Sequence, residues 1–375
     1  MGTRDEGRLA GAGRAAGAAD RPVCSDRDAA ALMKTGSLIL LAVLCVGCSI
    51  QRSGESQARI AREESIHFTS GNLTLGGTLC LPSGLQRHPA AFLFHGSGPQ
   101  GRDLSTARWF AAQGFAALTY DKRGVGQSAG NFRDGPFTDL CDDGLAAVEY
   151  LKSRREIDPR HIGVWGLSQG GWLGPLAASR SADISFVIAV SGPGVSPGEQ
   201  MLVYYANELR DRGVPEVDVR EAAALRRDVW NYLFTGEGYQ KARRELDQAR
   251  SKRWFREVNS QQDRLFESLQ KPSELNRPGS AILKFRREMT YDPLPALRAL
   301  HVPALFLFGG EDRLIPVERS TSVIRDILTQ SGHGDFTIQV LDNDDHGMHD
   351  ASGSVDPRYL DAMRRWLAGR VPMSH

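Results

Sequence analysis

This chain has almost no net charge, few cysteines and no long apolar run. Its 375 residues carry 46 Lys plus Arg against 45 Asp plus Glu, a formal charge of +1. A polyanion binder needs a basic surplus or stripe, so the balance argues against nucleic acid as a partner. With 41% hydrophobic residues the chain is too apolar to be mostly disordered. Its one strongly apolar run, Leu38 to Val46, is too short to cross a hydrocarbon layer of about 30 Å, which argues against a multispan membrane protein. Five cysteines make no disulfide framework, and Cys80 and Cys141 read as small buried residues. Glycine, at 40 residues, is plentiful, which implies tight turns and makes glycine-bearing motifs easy to meet by chance.

The apolar run follows Met33-Lys34 and ends in Val46-Gly47-Cys48-Ser49. A charged start, a short apolar stretch and small residues before a cleavage point are the parts of a secretory signal. The Gly-Cys ending resembles a bacterial lipoprotein signal, which implies lipid on Cys48 and the loss of Cys24 and Cys45 with the leader. On that resemblance the only membrane link is the N-terminal lipid, and the location is the bacterial cell envelope, lipid-anchored, periplasmic or secreted. Residues 1–32 look like no signal n-region; they read as a start-site artefact upstream of Met33. The polar stretch 49–64 reads as a tether.

Beyond it, apolar runs bounded by turn residues recur at Ile66 to Thr69, Leu73 to Leu81, Ala90 to Phe94, Ala116 to Tyr120, Ile162 to Trp165, Phe186 to Val190, Ala304 to Phe308 and Phe336 to Val340. Helix-like segments lie at Ser105 to Gln113, Asp139 to Ser153, Trp172 to Arg180, Val317 to Thr329 and Pro357 to Leu367. Strands alternating with helices imply right-handed crossovers and a mostly parallel sheet covered on both faces, an α/β fold. The core is expected over 65–196 and 297–375. Residues 197–296, charged and helix-prone, read as a cap insertion of two to four helices, because a structureless loop of that length is implausible. Its aromatics, among them Trp230, Tyr232, Phe234, Trp254, Phe255 and Phe266, read as the insertion's own core, with an apolar acyl pocket as the alternative.

The pattern G-x-S-x-G, expected about 0.3 times by chance, occurs around Ser128, Ser168 and Ser196. A nucleophile elbow needs a strand, a sharp turn and then a helix, so that the hydroxyl stands clear and the helix N-terminus faces it. Only Ser168 fits, between Ile162-Gly163-Val164-Trp165 and the segment from Gly171. Ser128 and Ser196 read as glycine-rich loop serines. Pro175 sits where it could kink the following helix.

A serine hydroxyl needs a base to take its proton, and the base needs a carboxylate to fix its tautomer. With an elbow the chain order is Ser, acid, His. Asp312, after the strand Ala304 to Phe308, is the expected acid, with Glu311 second. His346, directly after the final strand, is the expected base, with His349 second. Asp342, Asp344 and Asp345 beside it read as solvated carboxylates rather than metal ligands, because the loop lacks the Glu that a calcium loop needs at its twelfth position. A tetrahedral intermediate also needs N–H donors. One is that of Gln169 in the elbow; the second is that of Ser97 in His95-Gly96-Ser97-Gly98-Pro99, with Gly96 as alternative.

These motifs, together with Tyr120-Asp121-Lys122-Arg123-Gly124-Val125-Gly126-Gln127-Ser128, resemble the α/β-hydrolase superfamily across nearly all of residues 60–375. More narrowly they are similar to bacterial serine hydrolases grouped with dienelactone hydrolases and prolyl-oligopeptidase-like esterases. The resemblance implies an eight-stranded α/β-hydrolase sheet with a helical cap, an acyl-enzyme mechanism on small-molecule esters, and no cofactor or metal. A peptidase or acyl thioesterase on the same triad is the second enzyme reading. A non-catalytic envelope-binding protein is the reading from another class. Asp121 and Arg123 are expected to brace the loop beside the elbow. Oligomeric state is not legible.

Overall fold

The computed structural model describes residues 60–84, 86–133, 135–255, 269, 271–276 and 281–370. The leader, Cys48, most of the expected tether and Phe266 lie outside the described residues.

Eight strands form one sheet: β1 (Ile60–Ser70), β2 (Leu73–Pro82), β3 (His88–Phe94), β4 (Ala116–Tyr120), β5 (Ile157–Leu167), β6 (Phe186–Val190), β7 (Ala304–Gly309) and β8 (Phe336–Leu341). Their spatial order is β1-β2-β4-β3-β5-β6-β7-β8. The pairs β1/β2 and β2/β4 are antiparallel, and every pair from β4 to β8 is parallel. The carboxyl ends of β3 to β8 therefore share one edge, and the loops leaving them meet there.

Period two sorts the strand side chains onto two faces. Ala90, Phe92, Phe94, Val164, Val187 and Phe306 pack with α2 (Asp139–Lys152), α3 (Gln169–Arg180) and α10 (Val317–Gln330). Ala91, Leu93, Trp165, Ile188 and Leu305 pack on the other face with α1 (Leu104–Ala112) and α11 (Pro357–Ala368). Fully burying each large side chain in these rows contributes roughly 1.5–3 kcal/mol. Cys80 and Cys141 are buried, free thiols on opposite faces.

β1 begins at Ile60, so residues 60–64 are strand rather than tether. They pair with Leu79 to Pro82, and their charges find partners: Glu63 with Arg108 at 2.7 Å, Glu64 with Arg154 at 2.8 Å. The run of Arg62, Glu63 and Glu64 shows no apolar alternation, which is why it looked like a linker.

Between β6 and α9 (Leu294–Arg298) lie α4 (Pro197–Asp211), α5 (Glu216–Thr235), α6 (Tyr239–Ala249), α7 (Pro272–Leu275) and α8 (Ala281–Met289). Among the described residues these five helices exceed the expected two to four; α7 is a single turn opened by Pro272, too short to leave a periodic signature. The segment has its own hydrophobic cluster, with Val229, Trp230, Tyr232, Trp254 and Phe255 buried. It meets the core through α4. Gln200 donates to the Leu314 carbonyl at 2.5 Å, Asn207 to that of Arg313 at 2.9 Å, and Arg313 pairs with Asp211 at 2.7 Å.

Candidate active site

β5 runs into α3 through one residue. Ser168 has φ 55° and ψ −110°, a conformation costly for a side-chain-bearing residue. The bend is held from both sides: the Ser168 N–H donates to the Val190 carbonyl and the Gly171 N–H to the Ser168 carbonyl, each at 2.8 Å. It also needs glycine. A Cβ on Gly166 would stand 2.2 Å from the Gly170 carbonyl oxygen, and one on Gly171 2.3 Å from the Gly192 Cα. α3 continues through Pro175 as one helix from Gln169 to Arg180.

Two strands away, β7 ends against the loop that follows β8. The Gly310 N–H donates to the Leu341 carbonyl at 2.8 Å and the Glu311 N–H to that of Asp344 at 2.9 Å. This zipper delivers Asp312 to His346: Oδ2 lies 2.7 Å from the imidazole Nδ1, while Oδ1 accepts from the N–H groups of Leu314 and Ile315 at 2.8 and 3.2 Å. The Asp312 carboxylate is fully shielded and the imidazole is 15% exposed. Glu311 faces solvent. His349 is turned to Asp345, at 3.0 Å.

Ser191, one residue past β6, links the two halves. Its hydroxyl donates to the His346 carbonyl at 2.8 Å, and its neighbour Val190 holds the Ser168 N–H. Among the described residues four non-glycines have positive φ: Ser168, Ser191, Asn343 and Met348, all on the loops that follow β5, β6 and β8. Strain concentrated at one edge of the sheet is a mark of a functional site.

The loop 95–100 closes the other side. A Cβ on Gly96 would come 3.7 Å from that of Ser168, so this turn lies directly against the elbow. Its Ser97 is half-buried, as is Gln169 at the N-terminus of α3. His95 is buried, its Nε2–H donating to the Tyr120 carbonyl at 2.5 Å. Burial, then the Lys122 charge, lowers its pKa to about 4, so the ring is neutral at physiological pH.

The Tyr120-to-Ser128 segment is a brace, as expected for Asp121 and Arg123. Arg123 makes a two-pronged pair with the shielded Asp143, both contacts 2.7 Å, and Asp121 accepts from Arg102 and from the Gln127 N–H. Ser128 is buried in that brace, accepting from the Gly76 N–H at 3.0 Å. Ser196 caps α4, accepting from the Glu199 N–H at 3.2 Å. Neither lies at a strand-to-helix bend.

One expectation about the site's surroundings fails. Asp344 is not solvated: its side chain is fully shielded and pairs with Arg358 at 3.0 Å. Burial and the neighbouring Asp356 carboxyl push its pKa up to about 7. Arg358 sits on α11, fourteen residues on, and nothing local announces the pairing. Ser191 and Lys122 likewise carry no local signal, since their partners His346, Gly96, Gly98 and Gln169 come from elsewhere in the chain.

A cleft of about 990 Å³ opens between cap and core, lined by Val195, Trp230, Phe234, Met289, Tyr291 and Val323. Ser168, Asp312 and His346 do not line it.

The protein family described as Serine aminopeptidase, S33 (Hydrolase_4) matches residues 86–351, which include every residue of this site. The chain belongs to that family. Within the curated relatives it is 24% identical over 248 residues to an uncharacterized 31.7 kDa Escherichia coli protein, covering 66% of this chain and 80% of that one. It is 25% identical over 316 residues to the esterase EstD of Thermotoga maritima, covering 78% of this chain and 65% of that one. Among solved structures the Pyrococcus furiosus esterase Pf2001 superposes with a TM-score of 0.53 at 15% identity, over 86% of this chain and 95% of that one. The fold is that of an α/β hydrolase, and the family is one of hydrolytic enzymes.

Proposed function

We propose that this protein is a serine hydrolase that cleaves carboxylic esters through an acyl-enzyme intermediate. The observation that carries the reading is the shielded Asp312–His346 pair, on the same sheet edge as a strained elbow serine. With Nδ1–H donated to Asp312, the free lone pair of His346 is on Nε2, the nitrogen a base must offer. Ser168 Oγ attacks the ester carbonyl as His346 takes its proton. The oxyanion accepts from the N–H groups of Gln169 and Ser97, donors that need no reorganisation as charge develops. His346 then protonates the leaving alcohol, and water, deprotonated by the same imidazole, releases the acid and restores Ser168.

Ester over amide is favoured by the esterase relatives; the aminopeptidase family favours the second reading, peptide hydrolysis on the same groups. Within the superfamily the reading stays beside the dienelactone-hydrolase-type esterases. The substrate is a small ester, and we place the chain at a bacterial envelope, tethered through lipid on Cys48.

A fluorophosphonate probe should label the wild type and not Ser168→Ala. A panel of p-nitrophenyl esters, aminoacyl amides and acyl thioesters ranks the chemistries, and a marked amide preference reverses the order. A folded protein with neither labelling nor turnover is a binding protein. Incorporation of a palmitate analogue should fail in Cys48→Ala.

A further inference from the structure

The most deeply buried cation near the elbow has no part in the mechanism above. Lys122 is fully shielded from solvent, yet its ammonium is saturated: Nζ donates to the Gly96 carbonyl at 2.6 Å, to the Gly98 carbonyl at 3.1 Å and to Gln169 Oε1 at 2.9 Å. Three acceptors converge on three N–H bonds. A neutral amine would offer two N–H bonds and a lone pair to those oxygens, so the site selects the charged form even as burial lowers the pKa to about 7. Asp143 and Glu288 favour the charge from a distance, and the Phe132 ring lies 5.6 Å from Nζ.

The acceptors decide what the lysine holds. In a trans peptide the C=O and the following N–H point in opposite directions. Drawing the Gly96 carbonyl onto Nζ therefore aims the Ser97 N–H away from the lysine, and that peptide lies against the elbow. The third contact grips Gln169, whose own N–H is the other donor. Gln100 reinforces the frame: its side chain donates to the Ser97 carbonyl at 3.1 Å and its carbonyl accepts the Lys122 N–H at 3.0 Å.

We propose that Lys122 is a positioning residue for the oxyanion pocket: its ammonium holds the Gly96–Ser97 peptide and Gln169 in one frame and sets a positive charge behind the developing oxyanion. The proposal rests on the serine-hydrolase reading. It makes Lys122 specific to the transition state, since an ester carbonyl carries little charge and the tetrahedral oxyanion carries a full one.

The test is Lys122→Met, with rates normalised to active sites titrated by the fluorophosphonate. Using p-nitrophenyl butyrate, kcat should fall about 100-fold, the scale of losing one oxyanion donor, with KM held within about threefold. The inhibition constant of a trifluoromethyl ketone, which binds as an oxyanionic adduct of Ser168, should rise by the factor by which kcat/KM falls. A merely structural lysine would lower the number of titratable sites and leave the rate per site and the ketone affinity unchanged, and that result overturns the proposal. If Lys122→Met does not fold, Gln169→Leu tests the same frame from its solvent-reachable end: it keeps the elbow N–H but removes one acceptor, and kcat should fall about five- to tenfold. An unchanged kcat in folded Gln169→Leu overturns it equally. A wild type that neither turns over esters nor labels at Ser168 defeats the serine-hydrolase reading and this proposal with it. An active, labelled wild type with a normal Lys122→Met defeats this proposal alone.

Discussion

Ser191 donates its hydroxyl to the backbone carbonyl of His346 at 2.8 Å from a backbone held at φ 48°. Through Val190, the same strand end also holds the Ser168 N–H. A single loop thus gauges the spacing between nucleophile and base. Ser191→Ala keeps the bend but frees the His346 loop. Stability should drop by about 1 kcal/mol, the net worth of one hydrogen bond. Turnover should drop about tenfold with little change in KM, since small misplacement of a base is costly. Steady-state kinetics beside urea unfolding check both; a loss of stability without a loss of kcat contradicts the spacing role.

Asp312→Asn preserves volume but changes what the imidazole meets. An amide nitrogen facing Nδ1 asks for the tautomer with its proton on Nε2, the wrong nitrogen for a base. We expect kcat/KM on a p-nitrophenyl ester to fall by roughly 10⁴ with unfolding little altered, by analogy with the same change in chymotrypsin-like enzymes. Glu311→Gln, on an exposed side chain, should lie within about twofold of wild type. Equal losses in the two would reassign the acid.

Ser168 stores strain. Both Ser168→Ala and Ser168→Gly should abolish turnover, but only glycine is at ease at φ 55°. The glycine variant should therefore be more stable than the alanine variant by about 1 kcal/mol, at the low end of the cost of such a conformation. Paired denaturation curves decide it, and alanine equal to or above glycine would show the elbow unstrained.

Asp344 makes stability pH-dependent in a definite direction. Its carboxyl titrates near 7 in the fold, raised by burial and by Asp356, and near 4 in the unfolded chain. Between those values the native state holds a proton the unfolded state has released. The stabilisation is therefore full below about pH 4 and lost as pH rises through 7. Asp344→Asn carries no such proton, so its urea midpoint relative to wild type should be higher at pH 8 than at pH 5. An equal difference at the two pH values would mean that Asp344 is ionised throughout.

The strands were legible because apolar runs bounded by turn residues are local, and the elbow because Ile162 to Trp165, a glycine turn and a helix follow each other without interruption. The polar half of β1 was not legible, since Glu63 and Glu64 lack an apolar signature and are strand residues through pairing with Cys80 and Leu79 of β2, while their charges meet Arg108 and Arg154 from elsewhere in the chain. Asp344 looked like a surface carboxylate because neither Arg358 nor the packing that covers it is visible along the chain.

By itself the sequence determined the apolar runs that make the sheet, the glycines that permit the Ser168 bend, and the order in which serine, acid and histidine occur. These depend on neighbours a few residues apart. The tertiary structure alone decided that Asp312 is sealed against His346, that Ser191 spans to the histidine loop, and that Lys122 is a buried cation with three carbonyl partners rather than a solvated one. The reason is physical: desolvation and hydrogen-bond saturation are properties of the surroundings that assemble around a side chain, and those surroundings come from residues tens of positions away.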